Sequence, residues 1–329
     1  MNLRVEEEAS NVMIKAQLAA LLEVSAYPKP GNVHRLRDRW GKKFEHFVAG
    51  SVAIGPIVRE AFMRGYRAWL QGDLSSINIG KLIEKAVKHQ LKVHSAGNTH
   101  LGVIMLFIPI ASSIPMWIAG SRDISDLGVA TLEVLKTTTL ADAVALMRGI
   151  KLAKPSGLGR PPKGLPDALK EKQRIDMTLY EILESSSRWD GVAGELVSGL
   201  RTSLKVGLPS LIKTYEKTKD LNIAIVHCFL SILSHKPDTF IARNVGLAKA
   251  PNASIDKAVE LGMQEARRIS ERAREALEAG GLTTIEGRKV IKDLDEELEA
   301  KGPAYNPGTT ADLTAASIFL ALLSGANLL

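Results

Sequence analysis

The sequence predicts an all-α fold, a single compact multi-helix domain over residues 1–329, and three observations predict it. Apolar residues recur at three- and four-residue spacing through every long stretch between loops. No run alternates apolar and polar residues as a half-buried strand would, and no internal repeat is visible. A hydrophobic fraction of 45% with 24% charged residues is enough to bury a core at this length and argues against disorder.

Taken in order, Val5–Val24 is the first helix, with Val12, Ala16, Ala19 and Leu22 on one side. It stops before Y-P-K-P-G-N-V-H-R, residues 27–35. There Pro28 and Pro30 restrict φ and remove two donors, and Gly31 permits close backbone approach. A stiff loop carrying Lys29, Asn32, His34 and Arg35 suits an anionic ligand, or serves as a polar connection. Phe44–Leu70 is the second helix, with Glu45 and His46 at its start, and Ile79–Val93 is the third. The cluster S-A-G-N-T-H-L-G, residues 95–102, leads into an uncharged helix that Asn98 or Thr99 would cap, leaving a positive dipole end for an anion.

That uncharged segment, Leu101–Gly120, is long enough to span a bilayer. Pro109, Pro115, Ser112 and Ser113 make it read instead as a buried helix broken or kinked at the prolines, with no membrane partner. Asp126–Gly149 reads as one or two helices interrupted at Thr137–Thr139. Residues 154–166, K-P-S-G-L-G-R-P-P-K-G-L-P, predict a flexible Gly/Pro-rich loop, either an interdomain linker or a mobile flap over phosphates. Helical periodicity returns over Ile175–Ser187, Ala193–Leu204, Ser210–Thr218 and Leu221–Ser234. A third polar cluster, residues 235–246, brings Asp238 and Arg243 towards one cavity. Ser254–Ala279 and Thr283–Lys301 are amphipathic, and N-P-G-T-T-A-D, residues 306–312, opens the last apolar helix with Asp312 in its first turn.

The formal charge of +7 favours an anionic partner, but the cations are interleaved with acids and aromatics make up only 5%. A phosphorylated small molecule fits better than nucleic acid. The single cysteine, Cys228, lies in an apolar run, which removes disulfide frameworks and cysteine metal sites. The acidic start M-N-L-R-V-E-E-E does not read as a signal peptide, and a cytoplasmic location is expected. Walker, dinucleotide-binding, nucleophile-elbow and H-E-x-x-H motifs are missing.

Four clusters in order carry a resemblance. Y-P-K-P-G-N-V-H-R, A-G-N-T-H-L-G, D-T-F-I-A-R-N-V-G and N-P-G-T-T-A-D-L resemble the P-K-P-G, N-T-H, D-T and P-G-x-[ST]-A-D-L motifs of the triphosphoribosyl-dephospho-CoA synthase family. The resemblance implies a helical transferase that joins ATP to 3'-dephospho-CoA with release of adenine, making a prosthetic-group precursor for an acyl-carrier protein downstream. It implies that Lys29, Gly31, Asn32, His34, Arg35, Asn98, Thr99, His100, Arg243 and Thr309 hold nucleotide and phosphate. Mg²⁺ would sit on Asp238 or Asp312, and Glu45, Asp238 and Glu195 are the candidates for base or cation stabiliser at an oxocarbenium-like transition state. His34 and Leu101 stand where relatives carry Asp and Lys, and Thr309–Thr310 replaces glycine-serine, which marks a divergent member. The other readings are a hydrolase or transferase on another ribosyl nucleotide, and a non-catalytic helical nucleotide-binding protein.

Overall fold

The apolar stripes assemble, in a computed structural model describing residues 3–170 and 173–328, into fourteen α-helices joined by short loops. Among the described residues no strand forms; His34–Arg37, Arg39–Lys42 and Arg160–Ser254 are isolated bridges. In order the helices are α1 (Leu3–Ser25), α2 (Phe44–Gln71), α3 (Ile79–Val93), α4 (Leu101–Ala119), α5 (Ile124–Lys136), α6 (Leu140–Ala153) and α7 (Leu179–Ser186). Then follow α8 (Gly191–Val197), α9 (Leu208–Thr218), α10 (Leu221–His235), α11 (Thr239–Lys249), α12 (Ile255–Glu278), α13 (Ile285–Lys301) and α14 (Gly308–Leu323).

Two strongly apolar helices, α4 and α14, are buried along most of their length and pack on each other, with the Phe107 and Phe319 rings 4.7 Å apart. Around them stand α2 and α5 against α4, and α1 and α10 against α14. Helix α4 is long and apolar enough to cross a membrane, yet here its neighbours cover it, and it serves as the hydrophobic axis of the bundle. The expected break does not occur. Pro109 and Pro115 lie inside one continuous helix, and the Ser112 and Ser113 hydroxyls donate to the Ile108 and Ile110 carbonyls within it.

Two further departures shape the site. The expected helix over 193–204 is cut at Val197, where Gly199 and Leu200 take φ of 65° and 61°. The buried Glu195 carboxylate accepts from the amides of Thr202 (3.0 Å) and Ser203 (2.7 Å), which starts a fresh turn that winds as a π segment into α9. The polar cluster at 235–246 runs into helix α11 (Thr239–Lys249), whose weak stripe reflects packing by small residues. Gly246 faces the Ala258 carbonyl and Gly262 the Ala242 carbonyl so closely that a Cβ on either glycine would overlap backbone. The 154–166 loop lies over this α11–α12 pair. Ile255 donates its amide to the Arg160 carbonyl at 2.8 Å and the Arg160 guanidinium reaches the Asn252 carbonyl at 2.6 Å, so the loop covers the bundle rather than leading away from it.

Candidate functional site

The start of α14 draws the four polar clusters together. Asn306 accepts from the Asn32 side-chain amide at 3.0 Å, tying in the 27–35 loop. Asp238, the N-cap of α11, accepts from the Thr310 amide and hydroxyl, both at 2.8 Å. Asp312 lies against Gly102 at the start of α4, and a Cβ at Gly102 would overlap its carboxylate, so glycine is what admits the acid there.

Two adjoining cavities open on this junction and share Asn98, Leu101, Gly102, Phe240 and Asp312. One, of about 240 Å³, is the more polar of the two and reaches Glu23, Asn32, Arg39, Lys42 and Asn306. The other, of about 180 Å³, is more apolar and reaches Leu158, Pro161, Trp189, Asp190, Arg243 and Thr309. Asp312 therefore stands between two spaces, as a group serving two reactants would.

Its electrostatics are unusual. The residue as a whole is half-buried, but its carboxyl faces inward, and desolvation raises its pKa well above the ordinary 3.8, with Glu23, Asp238 and Asp190 adding repulsion. The Val103 amide, in the first turn of α4, opposes that shift without cancelling it. A carboxyl whose burial in a cleft makes it hold its proton more tightly than a free aspartate is suited to acid–base chemistry.

Cations complete the setting. Lys42 donates to the Asn98 carbonyl, and burial lowers its pKa while Asp312 opposes the shift. Arg39 is anchored by Asp295, by the Asn32 carbonyl (2.9 Å) and by Glu299, whose carboxylate lies 3.3 Å from its Nη1. Arg243 lies 3.6 Å from Asp190 and over the Phe240 ring, with its Nε buried and unpartnered. The Arg243 Nε is thus a buried donor in the cavity wall that an anionic ligand would engage.

Several expected site residues do other work. Lys29 is 0% exposed and sealed in an ion pair with Glu23; burial pushes the lysine pKa down and the glutamate pKa up, and their attraction resists both. It is an internal strut, not a phosphate clamp. Arg35 is exposed and stacks on the Tyr27 ring 4.3 Å away, outside both cavities. Gly31, at φ 70°, gives its amide to Asp295 at 2.8 Å and packs on Leu298. His34 is buried; burial and then Lys29, Arg39, Arg37 and Arg35 lower its pKa to about 3, so it is a neutral loop residue.

Asp238 spends both oxygens on four donors, the amides of Phe240 and Ile241 and the two groups of Thr310, which leaves it no role as base or metal ligand. Glu195 caps a turn away from the cavities, and Glu45 is exposed in the first turn of α2 and lines neither. Asn98, Thr99, His100, Asn32, Arg243, Thr309 and Asp312 do line the cavities. His100 has both ring nitrogens engaged. The Ser51 hydroxyl donates to the Phe47 carbonyl and so accepts from Nε2 at 3.0 Å, leaving Nδ1 to accept from Thr99 at 2.7 Å. Burial lowers its pKa to about 3, so the neutral ring forms a wall and not a phosphate contact.

The residues that sequence reasoning passed over are Glu23, Arg39, Lys42 and Asp190. Glu23 continues the Ala16, Ala19, Ala20 stripe of α1, so a charge on the buried face was readable. Asp190 begins D-G-V-A-G, an N-cap pattern. Arg39 and Lys42 had no signal beyond a polar stretch. Among the described residues no group of three or more His, Cys, Asp or Glu could hold a metal ion. The carboxylates fit only a cation that arrives already bound to phosphate.

Residues 9–328 match the profile of the family described as ATP:dephospho-CoA triphosphoribosyl transferase. A 2-(5''-triphosphoribosyl)-3'-dephosphocoenzyme-A synthase from Klebsiella pneumoniae is 25% identical over 318 residues, covering 95% of this chain and 90% of its own. The Escherichia fergusonii enzyme of the same name is 23% identical over 317 residues, covering 95% and 91%. The crystal structure of a candidate triphosphoribosyl-dephospho-CoA synthase from Archaeoglobus fulgidus superposes with a TM-score of 0.56 at 27% identity, covering 84% of this chain and 99% of that one.

Proposed function

The chain belongs to the ATP:dephospho-CoA triphosphoribosyl transferase family, and from that premise we propose that its two cavities hold the two substrates on either side of Asp312. The protein is a transferase that takes ATP as a substrate and moves its triphosphoribosyl group to dephospho-CoA with loss of adenine. The observation that carries the assignment of parts is the shared position of Asp312, with its raised pKa, between a cationic cavity and an apolar one.

In this reading Lys42 and Arg39 hold the triphosphate, while Asn32, Asn98 and Asn306 offer amides to ribose or base. The acceptor enters the cavity of Arg243, Thr309 and Trp189 and presents its hydroxyl to Asp312. Breaking the bond from the ribose C1' to adenine leaves positive charge on the sugar, which Asp190 helps to offset. Asp312 gives its proton to the departing adenine and then, as carboxylate, takes the proton of the attacking hydroxyl. The proton count closes, and the carboxyl returns to its starting state. Mg²⁺ arriving on the triphosphate oxygens would neutralise their charge. A carrier protein that takes up the product as its prosthetic group, and a cytoplasmic location, belong to the same reading.

The test is adenine release measured with ATP, dephospho-CoA, both, and neither. Release that requires both, together with a product bearing the triphosphoribosyl group, is the expected result. Release from ATP alone would favour a hydrolase, and ATP binding with no release in any mixture would favour a non-catalytic nucleotide-binding protein.

A further inference from the structure

We propose that the open groove between the 162–165 loop, the end of α7 and α12 seats the diphosphate and pantetheine arm of the acceptor. This rests on the transferase reading and extends it outward from Asp312. The groove has a volume of about 850 Å³ and adjoins the apolar inner cavity, with Leu165 and Trp189 lining both. Pockets that take a drug-sized ligand measure roughly 300–1,000 Å³, more than the inner cavity of about 180 Å³ supplies. An acceptor whose reacting hydroxyl meets Asp312 must therefore extend beyond that cavity, and the groove is the space that adjoins it.

The lining has the chemistry of that arm. Lys163, Arg188 and Arg267 are exposed along it, and among the described residues none of the three forms an ion pair. On the same helix α12, Arg268 and Arg272 are both paired to Glu297. Lys163, Arg188 and Arg267 are thus available along the groove, where a diphosphate would engage them. Met177 and Met263 supply flexible thioether surface for an irregular aliphatic chain. Asp256 and Glu260 also line the groove, so it is not a uniformly cationic track for nucleic acid.

The experiment compares dephospho-CoA with adenosine, an acceptor that keeps the ribose hydroxyls and lacks the arm, in the wild-type protein and in Arg188→Ala/Arg267→Ala. Both arginines are exposed, and thermal melting checks that the double variant folds. The double variant is expected to lose about tenfold or more in kcat/KM for dephospho-CoA, about 1.4 kcal/mol for each factor of ten. KM for ATP and kcat/KM for adenosine stay unchanged. An equal fall for both acceptors, or no fall for either, overturns the proposal. If no mixture releases adenine, the transferase reading fails on its own. Calorimetric titration with dephospho-CoA then still decides the groove, because a Kd that the double variant shares with wild type would sink it.

Discussion

Asp238 Oδ2 accepts both the backbone N–H and the hydroxyl of Thr310 at 2.8 Å, while Oδ1 takes the Phe240 and Ile241 amides at 2.8 and 3.1 Å. One carboxylate thus fastens the start of α11 to the start of α14 and fixes Thr309 and Asp312, which line the cavities on that turn. Asp238→Ala leaves four buried donors without an acceptor, and the expected loss is about 3–5 kcal/mol of stability by chemical denaturation. Turnover per folded molecule falls only as far as the turn shifts. A catalytic aspartate would show the reverse, full stability with no turnover.

The Lys29–Glu23 pair makes a second structural prediction. Both residues are buried, so Lys29→Ala strands an acid in the core and is expected to cost about 3–5 kcal/mol. Replacing both partners, Glu23→Leu with Lys29→Met, removes the stranded charge and is expected to recover most of that loss. Urea melts of the two variants check it, and a double variant no more stable than the single one would contradict the account.

How far these roles could be read from sequence depends on whether the signal is local. Helix α3 is predicted and observed over the same residues, Ile79–Val93, because its stripe of Leu82, Ile83, Ala86 and Val87 is a property of that segment alone. The cut after Val197 is not local, since it depends on where the Glu195 carboxylate turns. In the same way motif spacing brought Asn98 and Asp312 to the site but could not tell a residue in the cleft from one beneath it. Asp238 and Lys29 belong to the same motifs, and they hold the walls up. Arg39 and Lys42 enter the cavity only because the loop after Asn32 folds back, with Arg39 and Lys42 exchanging backbone hydrogen bonds at 2.9 and 3.0 Å.

Lys42 is accordingly the cation to test in ATP binding. Its ammonium donates to the Asn98 carbonyl, which leaves donors free for phosphate. Lys42→Met keeps the stem and removes the charge. The expected outcome is a KM for ATP raised about tenfold with a smaller change in KM for dephospho-CoA, read from initial rates. Arg35→Ala, outside the cavities, leaves both constants near wild type.

Asp312 carries the sharpest prediction because stability and activity should move in opposite directions. Its folded pKa is raised, so the native protein holds this proton more tightly than the unfolded chain, whose aspartate titrates near 3.8. The stability tied to that proton is fully present below the unfolded value and is lost as pH rises through the raised folded value. Asp312→Asn has no proton to lose. Its Tm relative to wild type is therefore expected to be least favourable near pH 4 and to climb towards pH 8. The kcat/KM for the transfer should fall at least about a hundredfold, and the high-pH limb that wild type shows, as the proton needed by departing adenine is lost, should vanish from the residual rate. A Tm difference that stays flat with pH, or an Asn variant that keeps the high-pH limb, would remove Asp312 from the proton's path.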